Sequence, residues 1–205
     1  MKVYAEFERL LTGVEDFATL VSKITEAFDR YVNQALYEAL IGVGTTLGAQ
    51  WYKSSAIDAS TKETLRTLCM DVGMASDSEV VIMGTRAALA SVFALNDVSW
   101  ASGDMKNEMY TTGRFGYWEG IRLVELKNGF KLNDTTQYLV ANDVLFIMPV
   151  GVEPMLKLVY EGDTRMYQVQ DAGTHMDMTY DYEVQTKMGI GVVLNQKFGY
   201  WKIVK

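Results

Sequence analysis

The sequence predicts an α+β protein in which a long helix near the start of the chain crosses a long antiparallel sheet near its end. From Met176 to Met188, mostly apolar side chains at the even positions alternate with polar side chains at the odd positions. This period of two is typical of a strand with one dry, apolar face and one wet, polar face. From Val14 to Ala39 apolar or small side chains recur with the spacing of an amphipathic helix. Both elements would be roughly 40 Å long at about 3.3 Å per strand residue and 1.5 Å per helix residue. Their matched lengths predict that the helix covers the dry face of the strand.

The middle of the chain is predicted to form a separate α/β lobe. Ser60 and Glu63 have the spacing of a capping box, so a helix is expected to begin there and to end at Gly73. A buried strand at 79–83 and a second helix at 86–95 follow, and residues 96–116, rich in small and polar side chains, indicate a long exposed loop. We therefore expect an inserted axial domain at 55–154 and a peripheral domain made of 1–54 and 155–205.

The last fifty residues are predicted to be almost entirely strand. Glycine-containing turn signals separate the apolar runs. The expected strands are 155–160, 165–170, 176–188 and 192–204, with turns at 161–163, 172–173 and 189–191.

Composition narrows the classes of protein. Of the 205 residues, 49% are hydrophobic, which is enough to build a substantial core. Apolar runs such as 144–150 are too short to cross a bilayer, and the charged segment at 6–9 does not fit a signal peptide, so we expect a soluble protein kept inside a cell. The net charge of −7 argues against a surface that grips nucleic acid by its phosphates.

The sequence shows no catalytic, cofactor or metal motif. The only histidine, His175, has no nucleophile elbow to serve, and Cys69 is expected to be a small buried hydrophobe. The glycines at 42, 44 and 48 follow a helix, which favours a flexible helix exit over a phosphate cradle. Asp177, Asp181 and Glu183 share a strand face, where carboxylates point in parallel, so a solvated or subunit-pairing face is favoured over a calcium site.

Aromatic side chains beside basic residues indicate a contact surface. Phe115, Tyr117 and Trp118 lie next to Arg114, and Trp201 lies near Lys202. Such groups are common in interface cores, and core packing within the subunit is an equal alternative. The predicted interface residues are Arg114, Phe115, Tyr117, Trp118, Asp181, Glu183 and Trp201.

The order of elements resembles that of the major capsid proteins of tailed double-stranded-DNA bacteriophages, the Hong Kong 97-like fold. The resemblance is carried by the helix at 14–39, by the segments Val80–Leu89 and Gly113–Val124, and above all by Tyr182–Val193. It implies a peripheral domain with a spine helix across a long sheet and an inserted axial domain. Only residues 1–13 precede the helix, so the resemblance implies a truncated or processed subunit without the N-terminal arm and extended loop of the family.

The resemblance implies a structural virion protein rather than an enzyme. Such a subunit would assemble with itself into the pentamers and hexamers of an icosahedral shell, in the cytoplasm of a bacterial host. The shell would enclose DNA without reading its sequence, and portal and scaffolding proteins are further expected partners; no membrane and no cofactor are expected. Two alternatives remain open, namely an encapsulin-like nanocompartment shell and a small intracellular enzyme with an unrecognised site.

Overall fold

The computed structural model describes residues 2–6, 12–13, 17–95, 116–131, 134–170, 179–194 and 197–204. Three helices and eleven strands lie in these ranges. The helices are α1 (Phe17–Gly44), α2 (Lys62–Ser76) and α3 (Arg86–Phe93). The strands are β1 (Lys2–Glu6), β2 (Tyr52–Ser55), β3 (Val80–Gly84), β4 (Tyr117–Trp118), β5 (Ile121–Glu125), β6 (Phe130–Lys131), β7 (Asp134–Tyr138), β8 (Val144–Pro149), β9 (Leu156–Gln170), β10 (Thr179–Val192) and β11 (Gly199–Ile203).

The chain folds into two compact units, one of Met1–Leu36 with Leu156–Gly191 and one of Tyr37–Met155 with Val192–Lys205. These boundaries differ from the predicted 1–54, 55–154 and 155–205. The reason is strand pairing, because β11 runs parallel to β2 on one side and antiparallel to β8 on the other. The segments around β2 and β11, predicted to be peripheral, therefore belong with the central lobe.

The first unit contains most of α1 and a three-stranded sheet of order β1-β10-β9. β1 is antiparallel to β10, with Tyr4 opposite Asp181. The apolar side of α1 in this unit buries Leu20, Ile24 and Val32, as its periodicity predicts. Helix and long strand thus fall in the same unit, as their matched lengths predict.

The bounds of these long elements differ from the predicted ones. α1 continues past residue 39 to Gly44, so the expected flexible exit at Gly42 and Gly44 is helical. β9 is one strand of 15 residues, and the predicted turn at 161–163 lies inside it. β10 runs to Val192, so the predicted turn at 189–191 is also strand. Residues 14–16 and 171–178 lie outside the described residues, and with them the predicted turn at 172–173.

The second unit is built on a six-stranded sheet of order β2-β11-β8-β3-β5-β4. β8 is central and almost continuously buried, as expected of an apolar run covered on both faces. One face carries α2 and α3, whose Leu65, Leu68, Val72 and Leu89 belong to one core cluster with the sheet residues Ile82, Trp118, Leu123, Leu145, Ile147 and Trp201. This lobe is the α/β unit that the sequence predicts.

Local hydrogen bonds decide the helix ends. The Ser60 capping box is wrong, because Ser60 N and Ser60 Oγ both donate to Asp58 Oδ1, at 2.8 and 2.5 Å, and α2 begins at Lys62. The helix passes Gly73 and ends at Ser76, followed by Asp77 with a left-handed φ of 47°. α3 is capped by Thr85, whose buried hydroxyl oxygen accepts from Ala88 N at 3.4 Å.

Candidate assembly surfaces

Trp118 and Trp201 are core residues of the second unit. Both side chains are 0% exposed and belong to its core cluster, and Trp201 Nε1 donates to Ser55 O at 3.1 Å. A side chain enclosed by its own subunit has no surface to offer a neighbour, so naming these two tryptophans as interface residues is wrong. Each lies on a strand and belongs to the core cluster that contains the helix residues. Core packing, the alternative that the sequence left open, is therefore the correct interpretation of both.

Of the other predicted interface residues, Tyr117 and Glu183 have described side chains. Tyr117 is 63% exposed on the edge strand β4. Glu183 is half-buried on β10 and accepts from Gln185 Nε2 at 2.9 Å. Asp181 lies on β10 opposite Tyr4 of β1, while Arg114, Phe115 and the side chain of Asp181 lie outside the described residues.

A tight turn beside Tyr117 is held by an ionic cluster that sequence reasoning missed. Glu119 and Gly120 join β4 to β5, with φ values of 49° and 84°, the signature of a two-residue type I′ hairpin. Glu119 accepts from Arg66 Nε and Nη2, both at 2.7 Å, and from Lys62 Nζ at 3.0 Å. Glu63 also pairs with Arg66, at 2.6 Å. The cluster anchors the turn to α2 despite the unfavourable φ of Glu119.

The hydrogen bond from Arg66, together with Lys62, lowers the pKa of Glu119 to about 2 from its ordinary 4.5. A carboxyl group whose pKa is lower in the folded state contributes its full stabilisation when the pH is above its unfolded-state pKa. That contribution is lost as the pH falls toward the folded-state pKa. The Glu119 contribution is therefore present at neutral pH and disappears between about pH 4.5 and pH 2.

We predict that Glu119→Gln lowers the free energy of unfolding at pH 7 by about 1 kcal/mol, the upper end for exposed ion pairs. The difference from the native chain should shrink when pH is lowered from 4.5 to 2, because protonated glutamate resembles glutamine. Urea unfolding at low salt measures the free energy of unfolding of the variant and of the native chain at each pH. Glu79→Gln, an exposed glutamate of the same unit, is the control for removing one charge. A difference that stays constant with pH would contradict the ionic role of Glu119.

The β9–β10 ribbon contains a long exposed segment of the first unit. Residues 159–167 of β9 are exposed without interruption, including Val159, Tyr160, Met166 and Tyr167, which are 62, 50, 43 and 42% exposed. Adjacent strand residues point to opposite faces, so apolar side chains are exposed on both faces of β9. The sequence concealed this surface, because it was expected to be a turn between two short strands.

Within the ribbon, side chains of β9 and β10 pair with one another. Glu161 Oε2 lies 2.6 Å from Lys187 Nζ, and the hydroxyl of Thr186 donates to that of Thr164 at 2.9 Å. A shallow groove beside the ion pair is lined by Glu161, Asp163, Arg165, Tyr167 and the facing part of β10. The groove is polar and open, which suits contact with another polypeptide better than enclosure of a small molecule.

Features of other functional classes are few in the described part of the chain. Burial and the charge of Glu119 raise the pKa of the Cys69 thiol to about 12, which makes it unreactive. Among the described residues, no group of three acidic, histidine or cysteine side chains could hold a metal ion. Of the described helices, none combines the length and apolar character needed to cross a membrane.

The described fold is that of phage capsid proteins. A chain of the satellite phage P4 procapsid is 10% identical, with a TM-score of 0.62 over 100% of this chain and 69% of that one. The bacteriophage PhiM1 mature capsid is 12% identical, with a TM-score of 0.60 over 100% and 70%. The SrpI encapsulin complex of Synechococcus elongatus is 12% identical, with a TM-score of 0.56 over 98% and 71%. At such identities these similarities define the fold alone.

The family follows from the sequence itself. Residues 1–202 match the family described as "SPbeta prophage-derived putative capsid protein YonB". The chain therefore belongs to the YonB family of prophage-derived capsid proteins, and its function is structural. No curated protein matches the sequence.

Proposed function

We propose that this capsid protein is the shell-forming subunit, which assembles with copies of itself into pentamers and hexamers of an icosahedral shell around double-stranded DNA. The observation that carries the proposal is the exposed ribbon, with large apolar side chains on both faces of β9. Large apolar side chains exposed along the edge of a sheet are typical of a contact with another polypeptide. Shells repeat moderate contacts by symmetry, so a subunit needs adhesive surfaces rather than a catalytic pocket.

The net charge favours a shell that encloses DNA over a surface that binds DNA tightly. The net charge of −7 repels the phosphates of packaged DNA from the protein. Portal and scaffolding proteins are the further partners that a shell of this kind would need, and assembly would take place in the cytoplasm of a bacterial host. In this proposal the subunit catalyses no reaction.

Electron microscopy of the full-length chain produced in bacteria, with sedimentation to separate particles from free subunits, tests the proposal. Closed particles of uniform diameter, without DNA because the chain is produced alone, are the expected result. Particles that enclose a co-purified enzyme would favour a nanocompartment shell, the second candidate, which shares the fold. A permanently monomeric chain with a measurable turnover would overturn both.

Tyr117, on the strand that precedes the turn, supplies one proposed contact. Tyr117 is 63% exposed although its neighbour Trp118 is buried, so its ring is free to enter an adjoining subunit. We predict that Tyr117→Ser weakens assembly by about 2 kcal/mol per contact, a typical value for an aromatic anchor, and leaves the melting temperature nearly unchanged. Sedimentation and thermal unfolding measure the two effects. Tyr117→Phe keeps the ring and should assemble normally, and full assembly of the serine variant would remove Tyr117 from the interface.

A further inference from the structure

β9 is an edge strand of unusual length. It ends the sheet order β1-β10-β9, and the described residues place no strand on its other side. Its 15 residues extend about 50 Å at 3.3 Å each. An edge strand presents unpaired N–H and C=O groups, and natural proteins cover such edges or use them for pairing. The question is which polypeptide completes this edge.

The central segment of β9, residues 159–167, is complementary to its own reverse. Around Asp163 the segment 159–167 reads Val-Tyr-Glu-Gly-Asp-Thr-Arg-Met-Tyr. Two apolar residues stand three and four positions to either side of Asp163, and an acidic and a basic residue stand two positions before and after it. Reversing the segment therefore places apolar against apolar and acid against base.

We propose that β9 of one subunit pairs antiparallel with β9 of a second copy, about a two-fold axis at Asp163. Glu161 then faces the second copy's Arg165, Val159 faces Tyr167, and Tyr160 faces Met166. Two sheets of order β1-β10-β9 become one sheet of six strands. The inference rests on the proposed function, since it names one of the contacts by which the subunit associates with itself.

The charges of the ribbon favour this register. Glu161 already contacts Lys187 of its own chain, and both side chains are more than 70% exposed, so a second cation can approach Glu161. Arg165 lines the same groove and has no ion-pair partner among the described residues. Across the axis each Arg165 gains a carboxylate, and two such pairs form at once because the contact is symmetric.

Two features oppose the pairing and neither prevents it. Asp163 faces Asp163 of the second copy. The repulsion between the two carboxylates is offset because each lies diagonally opposite an Arg165 of the other strand. Gly162 has a φ of 76°, which interrupts a regular ladder. It lies one residue from the axis, so the apolar and ionic pairs on either side remain on extended strand. The contact is therefore a pair of flanking ladders around a short irregular centre.

Cysteine cross-linking tests the register. In an antiparallel pair, facing Cα atoms lie about 4.5–5.5 Å apart, within the range that a disulfide spans. Asp163→Cys should therefore form a disulfide-linked dimer on mild oxidation. Asp163 is exposed, so the change should not disturb folding, and Cys69, only 2% exposed, should not compete.

One single and one double cysteine variant are the controls for Asp163→Cys. Val159→Cys alone should not link, because residue 159 and its copy would be about 26 Å apart, whereas Val159→Cys with Tyr167→Cys should link through facing pairs. Non-reducing gels of the oxidised, assembled full-length chain measure all three. Arg165→Glu in the Asp163→Cys background should lower the dimer yield about tenfold, and Arg165→Lys should retain it.

The outcomes separate this inference from the proposed function. Dimers from Asp163→Cys and from the double variant, but not from Val159→Cys, support the two-fold pairing. Closed particles with no Asp163→Cys dimer would overturn it and leave the proposed function standing. Equal linking by Val159→Cys would overturn it as well, since random collision would explain the result. Dimers without particles would support the pairing and count against the shell.

Discussion

Trp201→Ala should destabilise the second unit by about 3–5 kcal/mol, the usual cost of emptying a large buried aromatic site. Trp201 is 0% exposed on β11, a strand between β2 and β8. Its ring is part of the main core cluster, and its Nε1 donates to Ser55 O. Truncation therefore opens a cavity and also removes one of the two donors to the Ser55 carbonyl, the other being Val204 N at 3.3 Å.

Urea unfolding followed by circular dichroism measures the loss for Trp201→Ala. The control is Trp201→Phe, which keeps a buried aromatic ring but loses the hydrogen bond and part of the packing, so it should cost less than the alanine change, about 1–3 kcal/mol. Assembly should fall in proportion to the unfolded fraction of the subunit. A stable Trp201→Ala subunit that fails to assemble would return Trp201 to the interface and contradict its place in the core.

Gly44→Ala and Gly42→Ala should have opposite effects although both glycines lie in the last turn of α1. A Cβ on Gly44 would lie 2.9 Å from Tyr200 Cγ, and closer still to Cδ2. The ring of Tyr200 stacks on Tyr52 with centroids 5.7 Å apart and meets the edge of Phe146 at 5.5 Å. Because the ring is held on two sides, overpacking at Gly44 should cost about 1–3 kcal/mol.

A Cβ on Gly42 meets no atom within 4 Å. Gly42→Ala should therefore stabilise the chain by about 0.5–1 kcal/mol, because alanine loses less backbone entropy in a helix. Thermal unfolding of the two variants and the native chain gives the comparison. A stabilising Gly44→Ala would show that Tyr200 moves aside freely, contrary to the close approach of α1 and β11.

The sequence located most of the long elements, since their signals are repeated along the chain. The apolar period of α1 and the alternation of β10 each persist over several turns or residue pairs, so single exceptions do not hide them. The order of the central elements α2, β3 and α3 was also read correctly. The fold class and the resemblance to phage capsid proteins followed from this order.

Turns and the burial of Trp118 and Trp201 were predicted poorly, because both depend on which distant segments pack against them. Glycine at 162 and at 189 and 191 suggested turns, yet these residues lie within β9 and β10. Aromatic side chains next to basic residues suggested an interface, yet burial separates Tyr117 from Trp118, one residue apart. Local composition shows neither which glycines lie in turns nor which aromatic side chains are buried.

By itself the sequence determined the α+β class, the long helix and the long alternating strand, because each depends on contacts repeated at short separation. Only the tertiary structure decided that β11 pairs with β2 and β8 and that Glu119 reaches Arg66, 53 residues away. It also decided that β9 is one exposed strand. The physical reason is that strand pairing, burial and ion pairing depend on which distant segments the fold brings together, and local periodicity carries no record of that choice.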